Sequence, residues 1–511
     1  MENIQNLLLG FQSILNFNNI MMTFIGGILG IIVGAMPGIG AAAGVALLLP
    51  MTFKMNPATA IIMLAGIYYG NMFGGAYSAT LLNIPGDSSA MCTALDGNPL
   101  AKKGKAGKAL ATGNISSFIG GAIGIVFLTV AGPALAEIGL HFGPAESASL
   151  IFFALTSIGW ILGDNPLPGL IATGLGLILA TIGADNATGQ IRFAFGNYNL
   201  YSGISFIPLI IGMFGFCQII EMATAKEEPD VSKVRKISLK ESMLTKDEFK
   251  SILPVTIRSG IIGNLVGFLP GAGGTTAGFI CYVLEKKIGK RGKNLGQGEI
   301  TGVAASEAAN NAAAVGSFVP LLSLGIPGSS TSAVLLGGLL MWGLHPGPLL
   351  FENNPEFVWG LIASMYLGNI VCFIVGMLII PALVSILKVS SKTLIPIITV
   401  ICVIGSYSVN NNLFDIGVML FSGLIAFYMK KYGFSVAPLL LSFVLSPTLE
   451  LQMRLALGIS QGNAAIFITR PISCCILLLT VLMLVSPLIK KLLINKKEKK
   501  REEKQMLKQT K

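Results

Sequence analysis

Apolar residues fill most of this chain in stretches of membrane length, and polar residues interrupt them at a few repeated places. Runs of about 20 apolar residues, long enough to cross a bilayer as helix, occupy 109–135, 146–163, 165–184 and 200–222, then 357–387, 393–409, 412–429, 434–449 and 462–489. Elsewhere the apolar pattern is broken rather than absent. Gly34-Ala35-Met36-Pro37-Gly38-Ile39-Gly40 interrupts one run and Gly267-Phe268-Leu269-Pro270-Gly271-Ala272-Gly273 interrupts another in the same way. Each is followed by a second matched break, Asn83-Ile84-Pro85-Gly86-Asp87-Ser88-Ser89 and Gly325-Ile326-Pro327-Gly328-Ser329-Ser330-Thr331. Proline removes a backbone donor and glycine permits positive φ, so helices stop at these points and free peptide groups at membrane depth. Such groups persist only where they line a buried or watery cavity. The pattern predicts an all-α polytopic membrane protein with about 9–12 transmembrane helices plus re-entrant or broken helices, arranged as two repeats.

Charge orients these elements. Lys102, Lys103, Lys105 and Lys108 follow the second break of the first half, whereas the equivalent loop 343–356 has His345, Glu352 and Glu356 but no Lys or Arg. After the first breaks the bias reverses: 50–57 holds only Lys54, but 286–293 holds Lys286, Lys287, Lys290, Arg291 and Lys293. By the positive-inside rule equivalent loops lie on opposite sides, as an inverted-topology repeat requires. The number of intervening spans agrees with that, with Lys388, Lys392, Lys430 and Lys431 falling inside. Both flanks of 254–287 then come out cytoplasmic, and arms of about 15 residues around Pro270-Gly271 fit a re-entrant hairpin better than two full spans. The expected organisation is an N-terminal interfacial segment at 1–20, a first membrane half at 21–223, a charged cytoplasmic linker at 224–253, a second half at 254–490 and a basic cytoplasmic tail at 491–511.

Composition narrows the function. The chain of 511 residues is 53% hydrophobic and 12% charged, unlike a soluble domain of this size. Its net charge of +11 lies in short loops and in the tail, at Lys490, Lys491, Lys496, Lys497, Lys499, Lys500 and Arg501, so it reads as topology rather than nucleic-acid binding. The seven cysteines, including adjacent Cys474 and Cys475, have no metal or disulfide spacing. Residues 1–20 lack the basic start of a removable signal peptide. No phosphate loop, zinc motif or serine-nucleophile motif is present, and His141 and His345 stand alone, so no enzyme, cofactor or metal site is expected.

The breaks are the candidate chemistry. Their freed amides at the start of the following half-helices favour anions. The residues assigned to substrate are Pro37, Gly38, Gly40, Asn83, Pro85, Gly86 and Ser88 in the first half, and Pro270, Gly271, Gly273, Thr275, Pro327, Gly328, Ser329 and Ser330 in the second. Nearby hydroxyls include Ser78, Thr80, Ser89, Thr93, Thr276, Ser323, Thr331 and Ser332. The plain alternative for each glycine or serine taken alone is close helix packing. Glu307, with Asn310 and Asn311, is the most polar point of a membrane-length helix, a place to bind a coupling cation or carry a proton. Its ordinary reading is a carboxylate near the cytoplasmic end of its helix, close to Lys293. Asn71 is a similar candidate in the first half, while Asp87 and Asp96 are expected near the cytoplasmic surface.

These same residues resemble the large permease subunit of the tripartite tricarboxylate transporters, the TctA family. The resemblance runs through Gly30 to Phe53, Asn71 to Leu110 with Leu95-Asp96-Gly97-Asn98-Pro99-Leu100-Ala101, and Gly263 to Phe351 with Gly298-Glu299-Ile300-Thr301-Gly302-Val303-Ala304-Ala305-Ser306-Glu307. It implies a secondary transporter for small organic carboxylates such as tricarboxylates or dicarboxylates, driven by a sodium or proton gradient in a bacterial inner membrane. It also implies a small membrane subunit and a periplasmic or lipid-anchored solute-binding protein as partners. A homo-oligomer is compatible with the sequence, and an anion channel using the same helix tips is the competing function.

Overall fold

Close approach of helix backbones explains why the repeated segments are so rich in glycine. In the computed structural model, which describes residues 2–161, 166–185, 188–225, 237–383, 387 and 390–485, α2 (Phe17–Ala35) packs along α4 (Pro57–Leu82), and α11 (Lys246–Gly267) packs in the same way along α13 (Ile300–Gly316). A methyl group added to Gly30 or Gly34 would strike the carbonyls of Ile67 or Asn71. At the equivalent Gly263 and Gly267 it would strike those of Ala309 and Ala313. The internal duplication is therefore a duplication of packing, with peptide lying directly on peptide as in small-residue membrane interfaces.

Each pair is broken as the proline and glycine spacing demands. After α2, Gly38 at φ +85° turns the chain into α3 (Ala41–Leu48); after α11, Gly271 at φ +78° turns it into α12 (Gly273–Ile288). α4 ends on Asn83 in the left-handed region and is followed by α5 (Met91–Lys102). In the second half α13 continues into α14 (Phe318–Leu324), which ends on left-handed Gly325 and is followed by α15 (Ser330–Met341). Gly86 then lies against the Gly34 carbonyl and Gly328 against that of Gly267, so the second break of each repeat clasps the first.

The two ends of the molecule can be told apart along α6 (Ala106–Leu140), whose 35 residues span about 52 Å at 1.5 Å each. At its start Lys108 pairs with Glu248 at 2.5 Å, Gly107 faces Ile237 and Ser242, and Lys103 donates to the Gln297 carbonyl at 2.5 Å. Burial raises the Glu248 carboxyl, but hydrogen bonds from Lys108 and Thr245 outweigh it and hold that group below the usual carboxylate range. At the far end of α6, Gly139 meets Pro348 and Gly132 meets Phe351. The Lys-rich loops thus gather at one end and loop 343–356 at the other. Asn56 and Pro57 share a surface cleft with Asn353, Asn354 and Glu356, which puts loop 50–57 at that second end. Equivalent loops of the two repeats lie at opposite ends, as the charge bias indicated. α11 leaves the Lys-rich end and α12 returns to it, forming the re-entrant hairpin.

Among the described residues, seven helices are long and apolar enough to cross a membrane: α2, α6, Phe206–Thr224, Pro355–Ala382, Lys392–Asn410, α19 (Leu413–Lys431) and α20 (Ala437–Ile459). Phe206–Thr224 joins α9 (Phe206–Ile210) to α10 (Cys217–Thr224) through a π-helical stretch at Ile211–Phe216, and Lys392–Asn410 lies within α18 (Ser391–Asn410). The inner helices are shorter or more polar because protein, not lipid, surrounds them; α4 is buried on every side from Ala60 to Thr80. α7 (Pro144–Ile161) and α8 (Leu167–Ala180) lie beside α20, and a two-stranded ribbon pairs β1 (Gly183–Ala184) with β2 (Ile191–Arg192) antiparallel, Gly183 opposite Arg192. Short α16 (Pro348–Asn353) precedes α17 (Pro355–Ile379), and α1 (Glu2–Ile14) lies on α17 with Leu8 and Leu9 exposed. Residues 226–236 of the charged segment, Lys388, and the tail from Lys490 onward fall outside the described residues.

Candidate functional site

Three of the four breaks converge on one cavity of about 680 Å³. Asp87, Ser88 and Ser89 come from the first half, Gly271 to Thr276 from the re-entrant tip, and Ser329 to Thr331 from the last break. Tyr68 and Met72 on α4, Met91, Cys92 and Leu95 on α5, Phe279 on α12, and Ser435, Ala437 and Leu441 near the start of α20 complete the wall. The halves touch through hydroxyl pairs, Ser88 with Thr275 at 2.9 Å and Tyr68 with Ser329 at 2.9 Å. No Lys or Arg is among the lining residues.

Of the residues assigned to substrate from sequence, Ser88, Gly271, Gly273, Thr275, Ser329 and Ser330 line the cavity. Pro270, Pro327 and Gly328 are buried behind it, where they hold the breaks in shape, and the Pro270 carbonyl accepts from Ser157 at 3.3 Å. Asn83, Pro85 and Gly86 form the turn before Ser88 and are not lining residues. Pro37, Gly38 and Gly40 are not lining residues; Gly40 lies against the Asp87 carboxylate, and Gly38 is exposed. The Asp87 carboxylate accepts from the Ala41 amide at 2.9 Å and from the Ser89 amide at 2.8 Å, bridging the two breaks of the first half. The Gly38 carbonyl accepts at 2.9 Å from the Gln218 amide, turned so that its NH2 group faces an acceptor. Ile39 is held by Asn71 at 3.4 Å. Asp87 is thus partly buried at the cavity wall rather than a loose surface carboxylate.

A buried polar core lies beneath this cavity. Glu307 is fully buried, accepts a short hydrogen bond from Thr93 on α5, and accepts from Ser117 on α6 at 3.2 Å. Asn311 donates to Ser117 at 2.8 Å and to Asn310 at 2.6 Å, and Asn310 donates to the Ser89 carbonyl at 3.4 Å. None of the ion pairs among the described residues includes Glu307, so the reading that placed it by Lys293 is replaced by a carboxylate held by the neutral side chains of Thr93, Ser117 and Asn310. Asn71, the candidate in the first half, is buried on α4 and does not occupy the position in its repeat that Glu307 occupies in the other. Gly34 lies on the Asn71 carbonyl as Gly267 lies on that of Ala313, which makes Ala313 the residue that matches Asn71.

Asp96 also departs from expectation. It sits at the Lys-rich end yet is fully buried, because the Gly296, Gly298 and Glu299 amides reach one carboxylate oxygen at 2.8–2.9 Å and the Tyr282 hydroxyl reaches the other at 2.9 Å. Backbone donors replace its water. Asp96→Asn weakens these charge-assisted bonds, and thermal unfolding is expected to show a loss of about 3 kcal/mol; an unchanged midpoint would rule out this role. Tyr68, Ser117 and the α20 residues escaped sequence reading. The serine pair Ser116-Ser117 inside an apolar run was a usable signal, whereas Ser435 and Leu441 carried none.

The family model described as tripartite tricarboxylate transporter TctA family matches residues 20–441, which takes in all four breaks, Asp96 and Glu307. The chain belongs to that family. An uncharacterised 52.8 kDa protein from the TAR-I ttuC' 3' region of Agrobacterium vitis is 41% identical over 478 residues, covering 93% of this chain and 94% of that protein. A protein from the TAR-II ttuC' 3' region of the same organism is 43% identical over 211 residues, covering 41% of this chain and 87% of its own length. No solved structure matches. This TctA chain is a multi-pass membrane transporter, and its family is the large subunit of a tripartite system, so partner subunits go with it.

Proposed function

We propose that this TctA permease takes up small organic carboxylates, tricarboxylates or dicarboxylates, using a sodium or proton gradient. In this reading a small membrane subunit completes the permease, and an extracytoplasmic solute-binding protein delivers substrate. The observation that carries the proposal is the cavity where breaks of both repeats meet. Its size suits a small ligand, its polar groups are hydroxyls and freed amides beside the one carboxylate of Asp87, which the Ala41 and Ser89 amides already hold, and no Lys or Arg is among the lining residues. Neutral donors hold a carboxylate firmly enough to select it and loosely enough to release it.

Coupling follows from charge. Glu307 lies beneath the cavity floor, linked to it through Asn310 and the Ser89 carbonyl. An anionic substrate above a buried, unpaired carboxylate places two negative charges in a low-dielectric region, where their repulsion is strong. A cation or proton joining Glu307 removes that repulsion, so anion and cation travel together. Proteoliposomes containing the complete permease should accumulate labelled citrate or succinate in a saturable manner only under an imposed sodium or proton gradient. Sustained unitary currents that need no gradient would overturn the proposal in favour of a channel.

A further inference from the structure

The two repeats treat equivalent helix ends differently. In the first, the Asp87 carboxylate accepts from the amide of Ala41, the first residue of α3, at 2.9 Å. A methyl group on Gly40 would lie 2.8 Å from that carboxylate, and one on the matching Gly273 would lie 3.5 Å from Ser329 Cβ, so Ser329 stands where Asp87 stands in the other repeat. Ser329 cannot do the same work. Its hydroxyl is shared between Tyr68 at 2.9 Å and the Ser332 amide at 3.1 Å, and it is too short to reach across. α12 accordingly begins at Gly273 with no side-chain cap, and Gly273 and Gly274 face the cavity. An independent observation points to a ligand here: Thr331, only 5% exposed, lines the same cavity, and its hydroxyl has no hydrogen-bond partner among the described residues.

We infer that one carboxylate of the substrate seats on the start of α12, beside Thr331, in the place that the Asp87 side chain fills in the first repeat. The helix dipole and its uncapped amides favour an anion there. The first repeat's helix end is already occupied, so the permease offers one such seat rather than two, and any further carboxylate on the substrate must be met by the hydroxyls of Ser88, Thr275 and Ser330. This inference rests on the proposed uptake of carboxylates and adds where, and how unequally, the two repeats bind them.

The test is to give the second repeat its own carboxylate. In the full-length permease, Ser329→Asp should cap α12 from within and compete with substrate, whereas Ser329→Asn has the same size without the charge. Uptake of succinate or citrate by Ser329→Asp should fall at least about tenfold below that of Ser329→Asn, while its unfolding midpoint lies above that of Ser329→Asn because the helix end is neutralised. Equal uptake by the two variants, in a permease whose wild type transports, overturns the inference and leaves the uptake proposal standing. If the wild type takes up neither probe, the uptake proposal falls and the midpoints alone decide the seat, equal values overturning it.

Discussion

Glu307→Gln is expected to lower gradient-driven accumulation of carboxylate about 100-fold, the upper range of a coupling free energy between sites, while the permease still folds. The fold should survive because Thr93 and Ser117, which contact the two carboxylate oxygens, are hydroxyls that can donate or accept, so an amide of the same shape keeps its partners. Function should not survive because the amide neither attracts a cation nor releases a proton. With the buried charge gone, substrate binding no longer calls for a companion ion, and the energy of the gradient has no route to the substrate. The measurement is accumulation against exchange in the same proteoliposomes: accumulation collapses, and one-for-one exchange of labelled for unlabelled substrate is retained. Accumulation at the wild-type level would take Glu307 out of the mechanism.

The second large effect concerns the breaks themselves. A methyl group on Gly328 would lie 2.6 Å from the Gly267 carbonyl oxygen and 2.9 Å from Ser317 Cβ, both on elements that cannot yield without moving the re-entrant tip. Gly328→Ala should cost about 2–3 kcal/mol as overpacking, and Gly328→Leu should abolish uptake with the protein still inserted and expressed. Gly271 has a different reason for the same sensitivity: at φ +78° any side chain is strained. Gly417→Ala is the control, since nothing lies within 4 Å of its added methyl. Normal uptake by both Gly328→Leu and Gly271→Leu would mean that the breaks do not shape the site.

Much of this architecture could be read before any coordinates, because proline and glycine announce where backbone groups are set free and lysine announces which end faces inward. The paired breaks, the re-entrant hairpin around Pro270-Gly271 and the opposite placement of loops 50–57 and 286–293 all follow from those two signals. What could not be read is what fills the freed positions. Asp87 and Asp96 look like surface carboxylates in the sequence, yet the Ala41 amide holds the first and the Gly296, Gly298 and Glu299 amides enclose the second. Asn71 and Glu307 look alike in the sequence because both are polar residues in apolar helices. Only the packing shows that they hold different places in their repeats and that Asn71 donates to the Ile39 carbonyl of the first tip. Leu441 and Ser435 join the cavity through tertiary packing, which leaves no local trace.

The glycine-on-carbonyl contact that recurs in both repeats has a mechanical consequence. Where two main chains touch with no side-chain layer between them, there is nothing to compress or re-sort, so each pair behaves as a stiff beam. The seam between beams is different, fastened at Ser88 to Thr275 and at Tyr68 to Ser329 by rotatable hydroxyls that exchange partners at little cost. If substrate loads at the proposed cavity, rearrangement is expected first at this seam, where hydroxyls rather than main chains meet.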